Sequence, residues 1–330
     1  MRRVLLLLSL LLPISSRADE LGVAIRGKDW AAAGLLAAGA ADPVAGRLVR
    51  YLRALSPGAA GVGDLVSVMA EDDGWPQAGL LARRYADALV NERDERVVGE
   101  ACLRRMPVTA PALLRCAGVV PHGETAARRA WLIGVTDPAA EAAFMKRWGS
   151  ALGMAIQAER FERLAWTESA VPGGTLARQA VRVEPAMRPA AEARLALRRD
   201  DAAGPALFAA LPATLQAEPG LVLELARWYR RANRDNEAAQ VWIERGAVAS
   251  AALPAERQAA VWSERNILIR RLLRAREDQL AYQVATLPAG SNGDALFLAG
   301  WIALRRLEQP AAAVAHFRAL AGSSRAAITQ

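Results

Sequence analysis

The chain has 330 residues, 53% of them hydrophobic and only 5% aromatic, with 42 Lys and Arg against 34 Asp and Glu for a formal net charge of +8. Alanine, leucine and arginine dominate and lose little side-chain freedom in a helix, whereas strand-favouring Thr, Tyr and Phe are sparse, which argues against a β-rich fold. Scattered charge without a basic-aromatic patch argues against nucleic acid, and two histidines, His122 and His316, with no ligand-like spacing to a cysteine argue against a metal, so no cofactor is expected.

The first residues, MRRVLLLLSLLLPISSRADE, have the parts of a secretory signal. Arg2 and Arg3 form the charged start, Val4 to Leu12 the apolar run, and Ser16 and Ala18 the small −3 and −1 positions of a cleavage site. Nine apolar residues fall short of the roughly 20 a spanning helix needs. The expectation is a signal peptide over 1–18, cleavage after Ala18, and a periplasmic chain 19–330 without stable membrane insertion. Positive charge is nearly all arginine, since Lys28 and Lys146 are the only lysines. That bias reads as genome composition rather than a binding signature, although a mild basic field would help an anionic polymer such as cell-wall glycan approach.

Helical segments follow at short intervals, punctuated by proline and glycine. Spacing predicts helices near 29–40, 43–54, 64–69, 77–91, 95–104, 111–117, 125–133, 138–152, 154–165, 174–181, 189–198, 204–210 and 212–217. Cys102 and Cys116, 14 positions apart, are either bridged in an oxidising compartment or two buried thiols, and both readings stay open. From Gly220 to Gly246 a clearer unit appears: Leu221, Leu225 and Trp228 form one stripe, a polar turn follows with Asp235 as N-cap, and Ala238 and Trp242 form a second stripe. Segments 261–273 and 279–287 supply another pair. In the last, Phe297, Trp301 and Leu304 form a stripe, Pro310 opens a second helix, and Ala313, Phe317 and Leu320 repeat the pattern. Ala299, Gly300 and Ala313 are small enough for close approach. A hairpin buries one side only, so the expectation is an all-α fold, a tetratricopeptide-like solenoid of stacked helical hairpins in one continuous superhelical domain.

The segments GWPQAGLLARRYADAL (from Gly74), ERFERLAW (from Glu159), EARLALRR (from Glu192), EPGLVLELARWYRRANRDNEAAQVW (from Glu218), WSERNILIRRLL (from Trp262) and FLAGWIALRRLEQPAAAVAHF (from Phe297) together resemble the N-terminal superhelical region of soluble lytic murein transglycosylases, periplasmic enzymes that cleave peptidoglycan glycan strands. The resemblance runs over nearly all of residues 19–330 and implies a ring- or horseshoe-shaped superhelix. In that family a separate C-terminal lysozyme-like domain carries catalysis on a Glu-Ser pair and a Gly-Leu-Met-Gln stretch. Gly-Leu-Met-Gln does not occur here, and Glu168-Ser169 is the right dipeptide outside that context, so no catalytic residue is assigned. The resemblance also implies a further helix pair beginning near Ser323 to Ala326, and the stop at Gln330 is expected to leave the last stacked face uncapped, as a truncation or frame break would.

Arg265 and Asn266 interrupt the apolar face of their helix. They are expected either as structural polar groups, with Arg265 bridged to Glu224 or Glu244, or as groove contacts to a docked domain or glycan. Among nine tryptophans, Trp228, Trp242 and Trp301 sit at packing positions, while Trp30, Trp75, Trp148 and Trp166 lie near helix ends, where a sugar platform is conceivable. His316 is expected at the surface. The function expected is a non-catalytic scaffold, inactive alone, with peptidoglycan strands, a catalytic domain or an envelope protein as partner. The alternative is a free-standing tetratricopeptide-like interaction module.

Overall fold

The computed structural model describes residues 17–71, 74–251, 253–288 and 293–323. Among these the chain is all-helical, with no strand. The predicted signal run, Ser16, and the segment after Ser323 lie outside the described residues. No helix among those described is long and apolar enough to cross a membrane. The chain divides into two compact units at Leu152–Gly153, and each is described by itself.

The first unit holds α1 (Arg17–Arg26), α2 (Trp30–Ala38), α3 (Val44–Leu55), α4 (Val62–Glu71), α5 (Ala78–Asn91), α6 (Glu95–Arg104), α7 (Ala110–Val119), α8 (Glu124–Gly134) and α9 (Pro138–Trp148), followed by a 3₁₀ turn. Aspartate side chains start three of them: Asp29, Asp94 and Asp137 accept amide hydrogens of the first turns. Leu65, Leu81, Tyr85, Leu89, Leu113 and Trp131 are fully buried in this unit. Each large side chain so placed contributes about 1.5–3 kcal/mol. Helix α1 is the one element the sequence reading does not place, because it begins across the expected cleavage site.

The second unit holds α10 (Met154–Thr167), α11 (Thr175–Ala180), a 3₁₀ turn Pro185–Met187, α12 (Arg188–Arg198), α13 (Gly204–Ala209), α14 (Ala213–Gln216), α15 (Pro219–Arg231), α16 (Asp235–Ala251), α17 (Ala255–Arg274), α18 (Asp278–Thr286), α19 (Gly293–Arg305) and α20 (Pro310–Ser323). Proline sits in the first turn of α12, α13 and α15, where its missing N–H removes no helical bond. One core runs from Ala190 and Leu197 through Leu221, Trp242 and Leu268 to Ile302.

Four hairpins share one turn. Lys28, Asp200, Asn233 and Arg276 adopt left-handed backbone, φ 56°, 58°, 59° and 65°. In each case the next residue donates its amide to the carbonyl five positions earlier: Asp29 to Ala24, Asp201 to Ala196, Arg234 to Tyr229 and Glu277 to Leu272, at 2.8–3.0 Å. This closes the helix on its last free carbonyls and sends the chain back. None of the four is glycine, so a glycine-based reading of the turns passes over them.

The last hairpin corrects one expectation. Phe297, Trp301 and Leu304 do not face inward; they are 55%, 38% and 43% exposed. The buried face of α19 is instead Ala295, Ala299, Ile302 and Ala303. A Cβ on Gly300 would stand 2.7 Å from the Phe317 ring, so α20 fits closely only against a face of small side chains. Close packing outweighs apolar bulk in setting the rotation of α19.

Candidate functional site

A set of arginines binds successive hairpins together. In the first unit Arg84 of α5 donates to the Leu55 carbonyl at the end of α3 (2.9 Å), and Arg115 of α7 to the Glu92 carbonyl at the end of α5 (3.1 Å). In the second, Arg198 of α12 donates to Ala165 and Glu168 carbonyls at the end of α10 (2.8 and 2.6 Å). Arg231 of α15 reaches the Leu197 carbonyl of α12 at 2.8 Å, and Arg306, just past α19, reaches Leu273 of α17 at 3.2 Å. Arg271 of α17 completes the pattern on the turn between α15 and α16, donating to Asn233 and Asp235 at 2.9 Å. A cation at a helix C-terminus satisfies the last carbonyls and meets the negative end of the dipole. The arginine excess therefore has a structural use that composition alone does not reveal. Asp235 is the first residue of α16, its carboxylate committed to Arg271, rather than the N-cap expected.

Within the second unit a buried chain of ions joins α12, α15 and α17. Glu224, 1% exposed, accepts from Arg198 at 2.8 Å and Arg227 at 3.0 Å. Arg227 continues to Glu264 at 3.2 Å, and Arg230 also binds Glu264, which is 4% exposed. Arg227 is shared by both carboxylates, so removing it leaves each buried Glu with a single arginine. The signal for this chain is the i, i+3 spacing of Glu224, Arg227 and Arg230 on one helix, legible only once Glu264 is known to face it.

Arg265 is the central polar residue of α17 and is 1% exposed. It is bridged to neither Glu224 nor Glu244. Its guanidinium donates to the carbonyls of Val284, Leu287 and Pro288 at 2.6, 2.8 and 2.9 Å, closing the end of α18 from inside. Burial pushes its pKa down to about 10. Nothing at that exposure reaches a groove, so the groove reading of Arg265 is set aside. Asn266 is half-buried and accepts from Arg270 of its own helix at 3.0 Å.

Cys102 of α6 and Cys116 of α7 form a disulfide. Trp242 is buried in the core. Trp228 is half-buried and donates its indole N–H to the Asp201 carbonyl in the neighbouring turn (2.9 Å). Three of the helix-end tryptophans have occupied rings: Trp75 stacks on Tyr51 at 4.6 Å with Arg47 at 5.3 Å, Trp148 carries Arg147 at 5.0 Å, and Trp166 carries Arg194 at 5.5 Å and Arg257 at 5.2 Å. Ring contacts of this kind occupy the surface a sugar would stack on. Glu168 is the C-cap of α10, its carbonyl engaged by Arg198. His316 is half-buried rather than on the surface and is hydrogen-bonded to Tyr282 at 3.0 Å. No group of three or more His, Cys, Asp or Glu among the described residues is arranged to hold a metal.

Two concavities stand out. A cleft of about 710 Å³ in the first unit lies between the loop after α3, the second half of α5 and the start of α7. Its polar side chains are largely engaged locally: Arg84 on Leu55, Asn91 on the Asp87 carbonyl, Glu92 on two backbone amides. A smaller pocket of about 150 Å³ in the second unit lies among α10, α12 and the start of α15. Phe161, Val183, Met187 and Leu221 form its apolar wall, and Glu162, Arg194 and Glu218 its polar one. Arg194 is 3% exposed and gives one nitrogen to both oxygens of Glu162, at 2.9 and 3.0 Å. Its guanidinium lies against the Gly220 backbone, where a Cβ would fall 2.4 Å away. Partial burial raises the Glu218 pKa above the usual carboxylate value, Glu162 adds to the rise, and Arg194 opposes it. No family model, curated protein or solved structure matches this chain.

Proposed function

We propose that this chain is a non-catalytic scaffold of the cell envelope, a superhelix of stacked hairpins like that of the soluble lytic murein transglycosylases, which holds peptidoglycan strands or a cleaving partner without cutting the glycan itself. The observation that carries the reading is the recurrence from hairpin to hairpin of one left-handed turn and one arginine-to-carbonyl rung. Repetition of one supersecondary unit with the same joint is how solenoid scaffolds are built. The disulfide between α6 and α7 supports an oxidising compartment such as the periplasm. The six sequence segments named above support the choice of family. Glycosidic cleavage needs a positioned general acid in a substrate-sized cleft. The buried carboxylates Glu224 and Glu264 are occupied by arginines instead.

Purified protein incubated with sacculi tests this directly. The expected outcome is cosedimentation with the sacculi and no release of soluble muropeptides. Muropeptide release by the protein alone would overturn the non-catalytic reading, and failure to cosediment would turn it toward a protein-binding module.

A further inference from the structure

We propose that the 150 Å³ pocket among α10, α12 and the start of α15 binds a small organic cation, a compact apolar body about the size of a six-membered ring bearing one ammonium group. Size comes first: apolar protein cavities of about this volume accept benzene. Its wall of Phe161, Val183, Met187, Ala190 and Leu221 is apolar on that scale. The charge follows from a count of the polar side. Two carboxylates, Glu162 and Glu218, share the pocket with one guanidinium, Arg194.

Arg194 gives its hydrogen bonds to Glu162. One of its nitrogens holds both oxygens of Glu162, and the guanidinium lies over the Trp166 ring and against the Gly220 backbone. The exposed Glu218 side chain has no ion pair among the described residues, so the pocket sets two carboxylates against one guanidinium beside an apolar hollow. An ammonium group placed near Glu218 removes that imbalance while its hydrocarbon body displaces water from the wall. An anion of the same shape would meet two carboxylates, and a neutral hydrocarbon would gain only the apolar half.

Benzylammonium, toluene and benzoate, added separately to the purified protein and followed by NMR titration, test the proposal. Saturable benzylammonium binding with a Kd of about 1 mM or tighter is expected, with toluene and benzoate at least about tenfold weaker. Glu218→Gln, which alters an exposed residue, is expected to weaken benzylammonium about fivefold and leave toluene unchanged. Met187→Trp, at the half-open edge, is expected to fill the pocket and abolish binding while the helical circular dichroism stays intact. No saturable binding, equal binding of the three probes, or full binding by a folded Met187→Trp variant would each overturn the proposal.

Discussion

At the residue scale, Arg265 shows how far a polar group in an apolar stripe can be read. Its position among Val261, Leu268 and Leu272 marks it as buried, and the structure agrees. Its partners are backbone carbonyls, which have no signature in the sequence. Arg265→Ala leaves three carbonyls at the end of α18 without a donor, and the expected loss in chemical denaturation is about 3–5 kcal/mol. Arg265→Lys is expected to recover little, because an ammonium cannot span three carbonyls set for a planar fork. Tyr85 is a second case. Buried at 1%, it shares its single O–H between the carbonyls of Ala101 and Arg105, 2.9 and 2.7 Å away, and burial pushes its pKa up to about 12. The folded state therefore keeps a proton that the unfolded chain releases near 10, so stability falls as pH rises from about 10 to 12. Tyr85→Phe is expected to cost about 1 kcal/mol at neutral pH and to flatten that alkaline loss, read from denaturation curves at pH 7 and 11.

At the element scale, helices are where the sequence is most legible. Segment 95–104 coincides with α6, and most others agree within a few residues, because apolar spacing and proline positions act locally. The turns are less legible. A lysine, an aspartate, an asparagine and an arginine take left-handed backbone that the surrounding hairpin imposes. Arg276 is exposed, so its turn offers a clean test. Arg276→Gly is expected to stabilise the protein by about 0.5–1 kcal/mol, relief of left-handed strain outweighing the added freedom of the unfolded glycine. An unchanged or lower Tm would mean that the turn carries no strain. Asn233→Gly is a poorer test, since Asn233 also accepts from Arg271.

At the scale of the whole molecule, the disulfide and the arginine rungs hold distant segments together by different means. The disulfide closes a loop of 14 positions within the first unit, worth about 3 kcal/mol by restriction of the unfolded chain. Reduction is expected to raise hydrogen exchange in α6 and α7 and to leave α15 to α18 unchanged, since none of the latter is crosslinked. Rungs such as Arg231 to Leu197, 34 positions apart, act in the folded state alone. The boundary at Leu152–Gly153 carries no linker-like composition, and the sequence offers no sign of it.

What the sequence determined by itself was the all-helical class, the placement of nearly every helix and the burial of Trp242 and Arg265, since each follows from residue spacing along one element. Partners were decided by tertiary structure: Arg265 on the end of α18, Glu264 beneath two arginines, Glu162 on Arg194. The physical reason is range. Helical periodicity is set by neighbours three or four positions away, whereas hydrogen bonds and ion pairs join residues 20 to 40 positions apart, and only packed backbones determine which of many arginines meets which carbonyl. The outward turn of Trp301 belongs to the same class, because the close fit of Phe317 on Gly300 fixes which face of α19 lies inside.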